Sequence, residues 1–306
     1  RMYQRYWGFK FAPFRNTHDP VWYYSSPAHE EALARLLYVI EQNHQLGWLY
    51  GPSGTGKSFL LNVLLDQLKR AAYHTTYLDV AGVDAEELIW KLSAHWQIAP
   101  SLGESVRHLW RRVQDQLDAW QFSAEPGVIL LDHFDRADSS CLAYVDRLLQ
   151  LRSSAAPSCT LILAVERLGF SDQLPASKLK HRAADHFDLE IAATGIEEDE
   201  VSDYIESRLR IAGSRKNPFG VDAVSEIASI SDGNPARINQ LCELSLLAAM
   251  GNGLTLIEDD LVVSVAEELM HARRSDAARK HFAATAASHR RASEDKGGHS
   301  PPYAGF

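Results

Sequence analysis

The chain has 306 residues, 45% of them apolar and 23% charged, with a formal net charge of -9. At roughly 100–200 residues per domain, this length suggests two domains. The acidic balance excludes a global electrostatic pull towards nucleic acid or anionic membranes and leaves only local basic patches for such contacts. Cys141, Cys159 and Cys242 lie far apart and form no Cys-x-x-Cys pair. That argues against a zinc ribbon or a disulfide framework and for a reduced, cytoplasmic protein. Apolar stretches such as residues 244–250 fall short of the roughly 18 residues that span a bilayer, and no basic-then-apolar leader opens the chain.

Residues 1–24 are crowded with rings, among them Tyr3, Tyr6, Trp7, Phe9, Phe14, Trp22 and Tyr24, with Arg5, Lys10 and Arg15 between them. Such a segment can pack against the core or flank the adenine pocket, which is the expectation here, or offer single-stranded nucleic acid a stacking surface. A helix is predicted next: Ser26 suits the N-cap, Pro27 the first position, and Leu33, Leu36, Leu37 and Ile40 share one face. Apolar runs at 48–50, 76–80, 128–131, 161–165 and 187–191 then alternate with amphipathic stretches at 58–71, 85–97, 106–120 and 142–152. Near-continuous apolar strands between helices predict a parallel sheet covered on both faces. Beyond Gly195 only helical patterns remain, at 197–212, 221–231, 236–250 and 257–272, so a small all-helical lid is expected after the sheet. The predicted division is an aromatic segment and helix at 1–45, a P-loop core at 46–195, a helical lid at 196–273 and a disordered tail at 274–306.

Gly51-Pro52-Ser53-Gly54-Thr55-Gly56-Lys57-Ser58 matches G-x-x-x-x-G-K-[ST] in full, with a strand pattern before it and a helix pattern from Phe59 onwards. Glycines let backbone N–H groups turn inward around phosphates, and the helix N-terminus adds partial positive charge. Lys57 is placed to reach the β- and γ-phosphates and Ser58 to ligate Mg²⁺. The loop, with Phe59 after it, thus predicts binding of ATP and Mg²⁺. Val128-Ile129-Leu130-Leu131-Asp132 is a buried-strand pattern ending in a carboxylate, which makes Asp132 a second candidate Mg²⁺ ligand. His133 follows, where ATPases of this kind usually place the glutamate that polarises the attacking water. A neutral imidazole can take a proton near pH 7. His133 can therefore replace that glutamate or mark a slow, non-hydrolysing switch, and the rate of hydrolysis stays open. The 13 histidines show no ligand spacing, so no metal beyond Mg²⁺ is expected, and no Gly-x-Ser-x-Gly suggests a nucleophilic hydrolase.

Tyr6-Trp7-Gly8-Phe9-Lys10-Phe11-Ala12-Pro13-Phe14, Asp19-Pro20 and Ser26-Pro27-Ala28-His29 with Glu31-Ala32-Leu33 resemble the opening of the general secretion pathway protein A (ExeA-type) AAA+ ATPases. Leu209-Arg210-Ile211-Ala212-Gly213 and Gly233-Asn234-Pro235-Ala236-Arg237-Ile238-Asn239 extend the resemblance, which covers residues 6–250; related ATPases regulate transposition. The resemblance implies ATP bound between an α/β AAA+ core and a helical lid, in a self-associated assembly. It makes Arg182 a candidate arginine finger for a neighbour's γ-phosphate and Arg237 the candidate lid arginine on the nucleotide. The chain departs from the family pattern at His133, at Val165 in the polar-sensor slot of the fourth strand, and at Ala236, where the family's lid arginine usually sits. The function expected is an ATPase that remodels a secretion or cell-envelope partner. The alternatives are a DNA-associated switch of the transposition-regulator type, disfavoured by the acidic charge, and a non-hydrolysing scaffold. Arg273, Arg274, Arg279, Lys280, Arg290 and Arg291 in the tail are read as solubilising rather than as a DNA or lipid contact.

Overall fold

The computed structural model describes residues 2–271 apart from 99, 102, 124, 126, 152–157, 168–178, 180–187 and 215. Strands β1 (Leu46–Tyr50), β2 (His74–Asp79), β3 (Gly127–Asp132), β4 (Cys159–Val165) and β5 (Asp188–Ala192) form one sheet in the order β2-β3-β4-β1-β5. Every neighbouring pair is parallel. All five lie where the apolar runs predict strands. A parallel sheet needs cover on both faces because its crossovers bring helices to each side.

Side chains alternate along a strand, and β3 shows the result. Val128 and Leu130 join the core beneath α2 (Pro27–Glu41) and α3 (Lys57–Arg70), with Leu36, Leu60 and Leu64. Ile129 and Leu131 face the opposite core, with Leu88, Val113 and Val145 from α4 (Ala85–His95), α5 (Val106–Phe122) and α6 (Cys141–Gln150). Helix starts follow the capping signals. Ser26 Oγ accepts from His29 N at 3.3 Å, and Asp84 Oδ1 accepts from Glu87 N at 2.9 Å, each cap contributing about 1 kcal/mol.

The lid consists of α7 (Val201–Ile211), α8 (Val221–Ser231), α9 (Pro235–Gly251) and a last helix, α10, over residues 259–271, gathered around Ile205, Leu209, Ile227, Ile238, Leu246 and Val262. A short helix not predicted from the sequence, Met2–Trp7, opens the chain.

The aromatic segment packs into a core, as expected, and the core it joins is that of the lid. Its buried rings Phe9 and Phe14 enter the lid's core rather than that of the sheet. Trp7 Nε1 donates to Leu246 O at 3.2 Å, Tyr6 OH to Leu254 O at 2.8 Å and Tyr3 OH to Glu243 at 3.1 Å. A helical unit this small buries little apolar surface by itself, and each fully buried Phe adds about 1.5–3 kcal/mol. The tail from 274 lies outside the described residues.

Candidate nucleotide site

The end of β1 runs straight into the glycine loop, and α3 begins at Lys57. Gly54 has φ +88, and a Cβ there would lie 2.5 Å from Asn234 Oδ1, so the position requires glycine. Gly56 is the N-cap of α3 with φ 98 and makes no side-chain cap. The first N–H groups of α3 therefore stay open, which is the arrangement an anionic phosphate needs. Thr55 Oγ1 donates to Pro52 O at 3.0 Å. Buried His29 stands 3.1 Å from Thr55 O through Nε2. Burial holds the His29 pKa below the usual histidine value, against the opposing pull of the Thr55 carbonyl and Glu30. The neutral ring carries its proton on Nε2 and donates it to Thr55 O.

Lys57 Nζ donates to Gly51 O at 2.6 Å and Pro52 O at 2.9 Å. Burial lowers its pKa, while Glu166, Asp132 and Asp135 pull it back up. Ser53, Gly54, Gly56, Lys57, Ser58 and Phe59 line a cleft of ≈ 300 Å³. Gly51, Pro52 and Thr55 are outside that lining and tie the loop together through the Lys57 and Thr55 hydrogen bonds. Phe59 also stacks on Tyr23, with centroids 6.0 Å apart.

At the end of β3 the Asp132 carboxylate is fully buried. Tyr77 OH donates to its Oδ2 and the His133 N–H to its Oδ1, both at 2.9 Å. Burial and the Asp132 charge push the Tyr77 pKa well up, so the phenol keeps its proton and donates it. The β2–β3 register sets Asp79 beside Asp132. His133 takes a left-handed backbone, φ 55, and its Nδ1 comes within 3.1 Å of Asp79 Oδ1.

Beyond β4, Glu166 lines the cleft, pairs with Arg136 at 3.2 Å, and donates its backbone N–H to Asp135 Oδ2 at 3.3 Å. Val165, the residue in the sensor slot, is fully buried in the sheet's core, so β4 offers the cleft Glu166 instead. Asp79, Tyr77 and Glu166 escape a sequence reading. The one signal for Asp79 is that β2, like β3, ends in an aspartate.

The lid supplies the other wall. Tyr204 and Arg208 of α7 and Ala236 of α9 line the cleft, with Trp22 and Tyr24 from the aromatic segment. Arg237 is exposed and lies in the neighbouring groove with Arg15 and Glu243, outside the cleft. One helical residue is a turn of about 100°, and it is Ala236 that faces the loop. Asn234 fastens α9 there: its Nδ2 donates to Ser53 O at 2.9 Å, and its Oδ1 accepts from Ala236 N at 3.1 Å and Arg237 N at 3.2 Å. Arg182 lies outside the described residues. Among the described residues no helix is long and apolar enough to cross a membrane.

Residues 40–174 match the AAA domain family. Over 254 residues, 82% of this chain, the sequence is 24% identical to the general secretion pathway protein A of Aeromonas hydrophila, and it spans 46% of that protein's length. The fold is similar to that of the Aeropyrum pernix ORC1 protein in complex with DNA, with a TM-score of 0.63 and 18% identity over 84% of this chain and 69% of that one. It is also similar to the Aeropyrum pernix ORC2 protein in its ADPNP–ADP complexes, with a TM-score of 0.57 and 13% identity over 81% of this chain and 71% of that one.

Proposed function

We propose that this chain, an AAA+ protein by its AAA domain and sheet order, binds ATP with Mg²⁺ between sheet and lid and hydrolyses it using His133. The observation that carries the reading is the uncapped N-terminus of α3 behind the glycine loop, with Lys57 and Ser58 on its first turn. Ser58 on the cleft and buried Asp132 at the end of β3 offer a hydroxyl and a carboxylate, the oxygen donors that a hard cation takes. Bound at Ser58 and Asp132, Mg²⁺ would supply charge neutralisation at the transferring phosphate. The chain's own residues do the rest. The loop N–H groups cradle the phosphates, and Lys57 exchanges the Gly51 and Pro52 carbonyls for phosphate oxygens. His133 accepts a hydrogen bond from the attacking water while Asp79 holds its ring. The ADPNP–ADP complexes named for one structural neighbour support nucleotide binding in this fold.

The assembly and its target belong to the same proposal. Arg182 would complete a neighbouring copy's site, and ATP turnover would drive remodelling of a secretion or cell-envelope partner, a reading supported by the similarity to general secretion pathway protein A. A DNA-associated switch is the second reading, supported by the neighbour in complex with DNA. An ATP-dependent, salt-sensitive shift of DNA by this chain would favour it.

The test is ATP-dependent thermal stabilisation and steady-state turnover with Mg²⁺, for the parent beside Lys57→Ala. Ligand at a hundred times its Kd stabilises a fold by about 2.7 kcal/mol, a shift Lys57→Ala should largely lose along with turnover. A parent chain that ATP·Mg fails to stabilise sinks the reading. Stabilisation without turnover leaves a nucleotide-holding scaffold.

A further inference from the structure

Arg208 of α7 is a buried cation, 5% exposed, on the wall of the cleft. Its Nε and Nη2 both donate to Tyr204 OH, at 3.1 and 2.9 Å. The guanidinium lies 5.4 Å from the Trp22 ring centroid and 5.3 Å from that of Tyr204. Nη1 is buried and has no hydrogen-bond partner. Among the described residues, rings and a hydroxyl meet this guanidinium, and no carboxylate does.

The group is also rigidly mounted. Tyr204 OH donates to Asn239 Oδ1 at 2.9 Å, and Asn239 Nδ2 donates to Asn16 Oδ1 at 3.1 Å. Two lid helices and the N-terminal segment thus fix the rings that fix the arginine. A buried, unpaired donor on a cation destabilises the fold that holds it, and an apolar side chain of similar size would be tolerated better. An acceptor brought by a ligand removes that penalty. Tyr24 packs edge-on against Tyr204 with centroids 5.5 Å apart, so Arg208 sits among Trp22, Tyr24 and Tyr204 on the aromatic wall of the cleft.

We propose that Arg208 is a specificity residue of the lid: Nη1 donates to an acceptor on the nucleoside half of the bound nucleotide, a ring nitrogen of the purine or an oxygen of the sugar, with Trp22 stacked over the guanidinium. The inference rests on nucleotide binding in this cleft. It gives the lid an arginine on the ligand although Ala236 faces the loop and Arg237 lies outside the cleft.

The experiment uses the full chain, with affinities for ATP, ADP, 7-deaza-ATP and 2′-deoxy-ATP measured by calorimetry for the parent, Arg208→Met and Arg208→Lys, alongside ligand-free melting temperatures. Arg208→Met should weaken ATP and ADP by the same factor, about tenfold or more, while the ligand-free melting temperature holds or rises. Arg208→Lys should recover little, because an ammonium lacks the planar stack. Whichever analogue lacks the acceptor should bind the parent less well than ATP does and bind Arg208→Met equally well. Unchanged affinity in Arg208→Met overturns the inference alone. So does a loss confined to ATP, which would put the guanidinium on the γ-phosphate, or a fall in the ligand-free melting temperature, which would make Arg208 structural. A parent chain that binds no nucleotide removes the underlying reading and this inference together.

Discussion

His133 at the end of β3 and Asp79 at the end of β2 form a pair, with Nδ1 3.1 Å from Oδ1. The contact places the ring proton on Nδ1 and leaves Nε2 as an acceptor, so the tautomer is set by the neighbouring strand. Asp79→Asn should lower kcat about tenfold with little change in KM, and His133→Ala should lower it about a hundredfold. Glu166→Gln should cost less than His133→Ala, because Arg136 already engages that carboxylate. Steady-state kinetics of the three variants check this, and a Glu166→Gln loss exceeding that of His133→Ala would move the water-polarising role to Glu166.

Stability should fall on mild acidification because of His29. Its pKa in the folded chain is lowered, chiefly by burial, from an ordinary value of 6.5. The unfolded chain therefore binds the proton first. The contribution is full above about pH 6.5 and is lost as the pH falls towards the folded-state value. His29→Gln retains a donor for Thr55 O and should flatten that limb of the profile, as urea midpoints from pH 5 to 8 would show.

Tyr77→Phe removes the donor to Asp132 Oδ2 and leaves a buried carboxylate oxygen without it. A loss of about 1–3 kcal/mol is expected. Since Mg²⁺ at Asp132 would compensate, ATP·Mg should raise the melting temperature of Tyr77→Phe by more than it raises that of the parent.

Asn234→Ala removes both the cap of α9 and the bond to Ser53 O. A cost of about 1–2 kcal/mol in ligand-free stability follows, with weaker ATP binding measured by calorimetry. Asn234→Asp retains the cap but loses the Nδ2 donor. It should restore stability more fully than affinity.

The sheet was legible because parallel strands are buried on both faces and read as unbroken apolar runs: Val128 to Leu131 cannot be anything more exposed. The glycine loop was legible because its chemistry needs fixed residue types at fixed spacing. What could not be read was lateral. Asp79 reaches His133 through the β2–β3 register, and Glu166 reaches the cleft because Val165 takes the core side of β4. Neither relation leaves a mark within a window of neighbouring residues. The aromatic segment was legible as buried, but its partner was not, for the same reason. Its rings announce burial, but nothing in Phe9 or Phe14 says that the partner is a lid some two hundred residues further along the chain.

Ile196 N donates to Gly233 O at 2.8 Å, Ala236 N to Gly54 O at 3.3 Å and Asn234 Nδ2 to Ser53 O at 2.9 Å. A Cβ at Gly233 would lie 2.0 Å from Ile196 O, so the two segments meet backbone to backbone with no side chain as a cushion. The joint therefore has no side chain whose repacking could absorb a misfit. Tyr3 and Trp7 bond to Glu243 and Leu246 of the same helix, so the first residues of the chain are fastened to the element whose N-terminus touches the glycine loop.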